Sequence, residues 1–547
     1  MAEHSLRRNL DEVFDPGLEF PSPLLLSRTM AALESAEQRR PSLGKAVACT
    51  VRGRVPNLSP TTTRLLAGAL IVLILLAAVG AWAGLHRLFL SPTPATWTGC
   101  GGVLQCTSVR VPLNYSNAGA GSIEIATIRK PATNPAHRIG SLVLGLGPGE
   151  SGVDFLRQSS VYFASLNTRF DIIGFDQRGV GRSAPIHCFS NAQIDALNEI
   201  DTVLDDPLEK QAFIGSNKAI AEACMETSGK LLPFVDTSSA ARDLDAIRTA
   251  VGDSKLTYVG FGYGTFLGET YAELYPSHVR ALVLDGVLDP AVSSADLWLQ
   301  RASGFEDNLK AFVANCRASA ACAFGQGGDP GIRLPALMTR LDRNPLSVGS
   351  RMLGRRLALT GLISGLDPRN WGQLDSALTD AANGDGKGLL ALSDAALGRP
   401  SDGSYSFNAD ASTAITCIDR PAPSDVVFYD RLGPAMAAAS SLFGPAFQYI
   451  ALGCADWPVK AKGSVAPLPA VAAPPILLVG ATHDPYWPYA GAQAVNGELA
   501  GSVLLTRDGY GSLSYFRSAC VKLAVDAYVT RTALPPGGTV CESDYPA

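Results

Sequence analysis

Residues 256–276 read LTYVG-FGYGT-FLGETYAELYP. An apolar run enters a turn bracketed by Gly260, Gly262 and Gly264, and a stretch with helical spacing leaves it. Strand, tight turn and helix in this order are the shape in which a G-x-S-x-G sequence lifts a serine above a sheet. The central position here is Gly262, so the turn carries no nucleophile. Working outward, short apolar runs recur at 142–146, 170–176, 279–285, 476–480 and 503–506, with helical stretches between them. Apolar strands alternating with helices imply an α/β fold built on a mostly parallel sheet covered on both faces. A strand pair is expected at 109–115 and 123–129. Between Asp289 and about Pro467 the rhythm is lost, and FEDNLKAFVANC, LPALMTRLDR and WGQLDSALTDAANG have helical spacing, which predicts a helical insertion.

The chain has 547 residues, enough for two or three domains. With 47% hydrophobic and 17% charged residues it is no disordered polymer. A net charge of −5 argues against nucleic-acid binding by bulk basicity. Residues 65–85 (LLAGALIVLILLAAVGAWAGL) hold no charge and are long enough to cross a bilayer as one helix. The 21 residues before this run hold Lys45, Arg52, Arg54 and Arg64 without an acid, and the 21 after it hold only Arg87. The charge rule then keeps the N-terminus in the cytoplasm and exports the rest, giving a single-pass protein of the cell membrane. Ala81-Trp82-Ala83 resembles a small-x-small cleavage site, which leaves release after export open. Residues 1–63 read as a partly disordered cytoplasmic tail, 64–85 as the membrane helix and 86–97 as a stalk.

Cysteine parity agrees with export. Of eleven cysteines, Cys49 falls on the cytoplasmic side and ten on the exported side: Cys100, Cys106, Cys188, Cys224, Cys316, Cys322, Cys417, Cys454, Cys520 and Cys541. Pairing neighbours in order is the simplest assumption, although parity does not fix connectivity. No close C-x-x-C or Cys/His cluster suggests a metal, and no organic cofactor is implied.

Several stretches carry a family resemblance: GPGESGVDF (147–155), FDIIGFDQRGVGRSAP (170–185), SSAARDLDAIRTAVG (238–252), residues 258–290, ILLVGATHDPYWPYAGA (476–492) and residues 508–541. Together they resemble the TAP-like (tripeptidyl aminopeptidase and proline iminopeptidase-like) branch of the α/β-hydrolase peptidases, in that family's order and over nearly all of 100–547. The resemblance implies an α/β-hydrolase core at 98–290 and 466–547, with a helical cap at 291–465. It also implies a serine, acid and histidine triad. The acid position is Asp484, the histidine position is Ser512 and the serine position is Gly262. The family's oxyanion loop corresponds to 146–152, with Gly147 and Gly149, and the Tyr263 N–H would be its second donor. Glu150 either sets a negative charge beside that hole or is a solvated loop carboxylate.

Of the six histidines, only His483 stands near the acid, and Ser512 or Ser514 can hydrogen-bond Asp484 but cannot act as a base near neutral pH. Losing serine or histidine from a triad costs about 10⁶ in kcat. The expectation is therefore a membrane-anchored, exported pseudo-hydrolase that binds a peptide, a small ester or a partner protein in the old cleft. The alternative is a hydrolase or peptidase that activates water through Asp484 and His483. A third reading makes the exported part structural and the tail the working end.

Overall fold

A computed structural model describes residues 94–544. The expected tail at 1–63, the expected membrane helix at 64–85 and most of the expected stalk lie outside the described residues. Among the described residues, no helix is long and apolar enough to cross a membrane.

One ten-stranded sheet organises the chain. Its strands are β1 (Thr98–Gly99), β2 (Gln105–Pro112), β3 (Ser122–Lys130), β4 (Gly140–Gly145), β5 (Phe170–Phe175), β6 (Leu256–Phe261) and β7 (Val279–Asp285). After a small separate hairpin of β8 (Leu346–Val348) and β9 (Arg351–Leu353), the sheet is completed by β10 (Leu477–His483), β11 (Val503–Tyr510) and β12 (Val540–Glu542). The spatial order is β1-β2-β3-β5-β4-β6-β7-β10-β11-β12. Pairing is antiparallel from β1 to β5 and parallel from β5 onward. Every residue of β4, β5 and β6 is buried, which is why these strands read as unbroken apolar runs rather than alternating ones.

Two strands run further than the sequence suggests. β10 and β11 continue to the pair His483–Tyr510 across an irregularity after Ala481, and so carry the two loops of the site outward together. β2 stops earlier than the expected 115. Its partner β3 begins at Ser122, paired with Pro112, and the chain then turns.

One face of the sheet packs against the helices Thr237–Ala250, Gly264–Leu274 and Tyr489–Glu498 through Leu244, Ile247, Leu267, Tyr271 and Val495. The other packs against Gly152–Ser159 and Ala519–Arg531 through Leu156, Val521, Val525 and Val529. The elbow helix lies so close to the sheet that a Cβ on Gly264 would stand 2.4 Å from the Gly145 carbonyl. The buried Arg178 guanidinium clamps Asp243 at 2.6 Å through both Nε and Nη2, and it caps the carbonyls of Pro112, Leu113 and Phe234. A buried, bidentate pair of this kind fixes the geometry of the DQRG turn more than it adds stability.

The insertion is helical, with its own core centred on Phe305, Phe312, Leu341, Leu362, Leu378 and Phe443. It also recruits residues 191–228, an excursion after β5 that reads as part of the α/β core in sequence. Arg399 forks onto Asp195, Arg355 pairs with Asp201, and Arg356 donates to the carbonyls of Leu197 and Ile200. The disulfides are 100–106, 188–224, 316–322, 417–454 and 520–541. The 188–224 bond ties this excursion to the turn after β5.

Candidate functional site: a blocked hydrolase elbow

β6 enters the elbow and Gly262 sits at its tip with φ +57°, the left-handed conformation the sharp turn demands. Its N–H donates to the Asp285 carbonyl at 2.9 Å, and its own carbonyl accepts from Thr265 Oγ1 at 2.7 Å. The elbow is thus built in full although its side chain is gone. The space is not empty. A Cβ on Gly262 would lie 2.9 Å from Cε2, Cζ2 and Nε1 of Trp487. The same indole covers Gly286, whose Cβ would stand 2.8 Å from Trp487 Cδ1. Trp487 therefore occupies the ground a nucleophile needs.

Asp484 keeps its place at the end of β10 and is buried. Its Oδ1 accepts from the backbone N–H groups of Tyr486 (2.9 Å) and Trp487 (3.0 Å) and from the Ser512 hydroxyl. Burial raises its pKa, and these hydrogen bonds pull the other way. Ser512 is indeed opposite the acid, but its proton goes to Asp484. The loop around it is pinned by Arg507, which donates to the Tyr510 and Gly511 carbonyls, and by Arg517, which donates to the Ser512 carbonyl. The acid–base arm is rigid and has no imidazole.

His483 is not brought to the cavity. Its Nδ1 contacts Asp307 Oδ2 at 2.6 Å, its ring stacks on Tyr510 at 4.3 Å, and it is absent from the cavity wall. β10 ends at His483, and the chain turns there, with the Asp484 N–H donating to the Ala481 carbonyl, so the two neighbours take different surroundings.

In the oxyanion loop, Gln177 Nε2 holds the Leu146 carbonyl at 2.9 Å. Glu150 turns back and accepts the Gly147 N–H at 2.7 Å, so the carboxylate sits in the hole and takes one donor itself. Loss of surrounding water raises its pKa, and the Gly147 N–H lowers it. The Tyr263 N–H has no acceptor among the described residues. The Tyr263 hydroxyl donates to the buried Asp419 at 2.9 Å. Asp419 also accepts from the N–H and hydroxyl of Thr237, and burial raises its carboxyl to about 7. Gly149 does not line the cavity. Its carbonyl accepts the Asn408 N–H at 2.9 Å, which seats the cap on the loop.

Between sheet and cap lies a cavity of about 810 Å³, within the range of ligand sites. Its floor is Gly147, Glu150, Gly262 and Tyr263, and the 417–454 disulfide forms part of its wall. Reading the sequence missed its most distinctive wall. Arg301, on the first cap helix Ser294–Ala318, lies between Trp298 and Trp487, 4.8 Å from each ring centroid. Burial, then the charge of Arg420, lowers its pKa to about 10. The available signal was W-x-x-R at helical spacing and two aromatics directly after the acid turn. Nothing local shows that these distant stretches meet.

Among the described residues, the one grouping of metal-type ligand atoms is Cys316, Cys322 and Asp375. The two sulfurs are bonded to each other, and Asp375 accepts the N–H groups of Ala323 and Phe324, so no thiolate is offered.

Two family descriptions match the chain: α/β hydrolase fold over residues 147–326, and TAP-like protein over 440–541. Among curated relatives, serine protease Hip1 of Mycobacterium tuberculosis is 35% identical over 478 residues, covering 82% of this chain and 91% of the relative. Tripeptidyl aminopeptidase of Streptomyces lividans is 31% identical over 449 residues, covering 78% of this chain and 81% of the relative. Among solved structures, proline iminopeptidase of Mycobacterium smegmatis aligns at 16% identity with a TM-score of 0.33, covering 78% of this chain and 97% of that one. The α/β sheet with its capped elbow and this level of identity across most of both chains lead to one assignment: the chain belongs to the TAP-like branch of the α/β-hydrolase fold.

Proposed function

We propose that this TAP-like chain does not perform serine hydrolysis and uses the hydrolase cleft to bind a peptide, a small ester or a segment of a partner protein. The observation that carries this reading is the Trp487 indole lying on Gly262, where relatives named as a serine protease and an aminopeptidase would need a nucleophile. Three further features support it. Ser512 supplies no base, Glu150 fills half of the oxyanion hole, and His483 is turned to Asp307. The cleft itself persists, with a volume suited to a ligand. Fold does not fix function, and a rigid framework of this kind serves binding as well as catalysis.

The test is an assay of the full-length protein on aminoacyl and tripeptidyl chromogenic amides and short-chain esters, beside a fluorophosphonate probe for activated serine. No turnover above the uncatalysed rate and no labelling are expected. Turnover that survives to homogeneity and depends on Asp484 sinks the reading.

The reading includes anchoring through residues 65–85 with the hydrolase-fold part outside the cell. Its supports are the cationic flank at 45–64 and the contrast between Cys49 and the five disulfides beyond the apolar run. A membrane-impermeant maleimide applied to intact cells should leave Cys49 unlabelled until the membrane is opened. Labelling of Cys49 in intact cells would reverse the topology.

A further inference from the structure

The cavity is apolar on most of its wall yet carries arginines where a charge is expensive. Arg301, Arg356 and Arg420 all line it, and among the described residues no ion pair joins any of them to a carboxylate. Arg356 is satisfied by the carbonyls of Leu197 and Ile200. Arg420 donates to the Val292 carbonyl and is otherwise sealed in, with its Nε buried and unpartnered. Arg301 differs from both. Its Nε donates to the Tyr486 carbonyl at 2.9 Å, but neither Nη has an acceptor among the described residues. Both indole faces hold the guanidinium plane in place, so its free fork is aimed rather than wandering. A half-buried guanidinium in a mostly apolar wall is best answered by an anion, and its two Nη groups remain open to the cavity. The nearby acids form no ion pair with it: Glu150 is bonded to Gly147, and Asp484, whose Oδ1 accepts from Tyr486, Trp487 and Ser512, acts on Arg301 only through space.

Trp487 links this group to the old chemistry. One indole lies against both the Gly262 turn and the Arg301 guanidinium, so the cation and the blocked elbow share a wall residue of the same cavity. The remaining wall is supplied by such residues as Phe213, Phe261, Leu297, Ile363, Phe447 and Phe516. A strongly polar anion would waste that surface, and an uncharged body would leave the fork unpaired.

We infer that the cleft takes an apolar molecule ending in a single carboxylate, with the carboxylate on the free Arg301 fork between Trp298 and Trp487 and the apolar body under the cap. This rests on the binding reading above. Two sources share the chemistry: a fatty acyl chain and the C-terminus of a short apolar peptide.

The full-length protein in lipid nanodiscs, with empty nanodiscs as blank, would be titrated with octanoate and with N-acetyl-Leu-Leu-Leu carrying a free C-terminus. Their methyl esters are the uncharged controls. Tryptophan fluorescence and calorimetry report binding, since two indoles flank the fork. At least one carboxylate should bind saturably and about tenfold or more tighter than its ester, in keeping with one charge-assisted bidentate contact. Arg301→Gln should remove that preference and Arg301→Lys retain part of it, with melting curves confirming that both fold. Which carboxylate binds identifies the source. If neither acid outbinds its ester, or if Arg301→Gln leaves a preference intact, the inference is overturned. Consumption of the methyl esters, followed by chromatography, reports separately on loss of hydrolysis, because an active enzyme can still prefer a carboxylate through Arg301.

Discussion

If Trp487 blocks the elbow, restoring the two absent triad residues will not by itself restore the enzyme. In Gly262→Ser/Ser512→His the new Cβ at 262 would meet three indole atoms at 2.9 Å, closer than such contacts occur, and those atoms belong to a ring held by Arg301 and by the backbone bonds to Asp484. Overpacking of this kind costs about 1–3 kcal/mol, so the double variant should unfold at a lower denaturant midpoint and resist fluorophosphonate. Adding Trp487→Ala clears the serine and frees its Oγ, at a cost below the ~3–5 kcal/mol of a fully buried aromatic, since Trp487 is half-buried and lines the cavity. Labelling should appear only in this triple variant. Its turnover should stay well short of the ~10⁶ that a whole triad contributes, because Glu150 still occupies the Gly147 N–H. Adding Glu150→Ala should then raise kcat further, by about 10² if one oxyanion donor is regained. The assays are probe labelling, burst-phase ester hydrolysis and urea denaturation of each variant. Full labelling of the double variant with an unchanged midpoint would refute the argument, since it would mean that the indole moves aside freely.

Three other outcomes follow from the buried groups. Arg178→Met strands the Asp243 carboxylate in the core and should destabilise the protein by about 3–5 kcal/mol, while Arg178→Met/Asp243→Asn should recover part of it; equal midpoints in denaturant for the two variants would contradict this. Asp419, raised by burial to about 7 from its ordinary 3.8, holds in the folded state a proton that the unfolded chain releases. That contribution is full below pH 3.8 and is lost as pH rises through about 7, so the fall in melting temperature over that window should be flatter in Asp419→Asn than in the parent protein. Peptide mapping without reductant should return the linkages 100–106, 188–224, 316–322, 417–454 and 520–541, and any other partner for Cys417 or Cys454 would be incompatible with the cavity wall described here.

What the sequence disclosed and what it withheld divide along a physical line. Parallel strands covered on both faces are mostly apolar rather than alternating, so β4, β5, β6 and β7 announce themselves, and the glycine-bracketed turn marks the elbow between strand and helix. The absences at 262 and 512 are equally plain, because a missing nucleophile or base is a property of one position. The contents of the site are properties of several positions at once. Trp487, Gly262 and Arg301 come from the turn after β10, the turn after β6 and the first cap helix, and no periodicity within any of them predicts their meeting. Glu150 shows the same limit on a smaller scale: its residue type does not disclose that the exposed carboxylate turns back to accept the Gly147 N–H at 2.7 Å. The contact between 487 and 262 also explains why the substitutions form a set. An indole can lie on the elbow only while position 262 has no side chain, and a serine can stand there only while the indole is elsewhere. Glycine at the nucleophile position thus goes with an indole on the elbow, and that indole, Trp487, is one of the two that flank the Arg301 guanidinium.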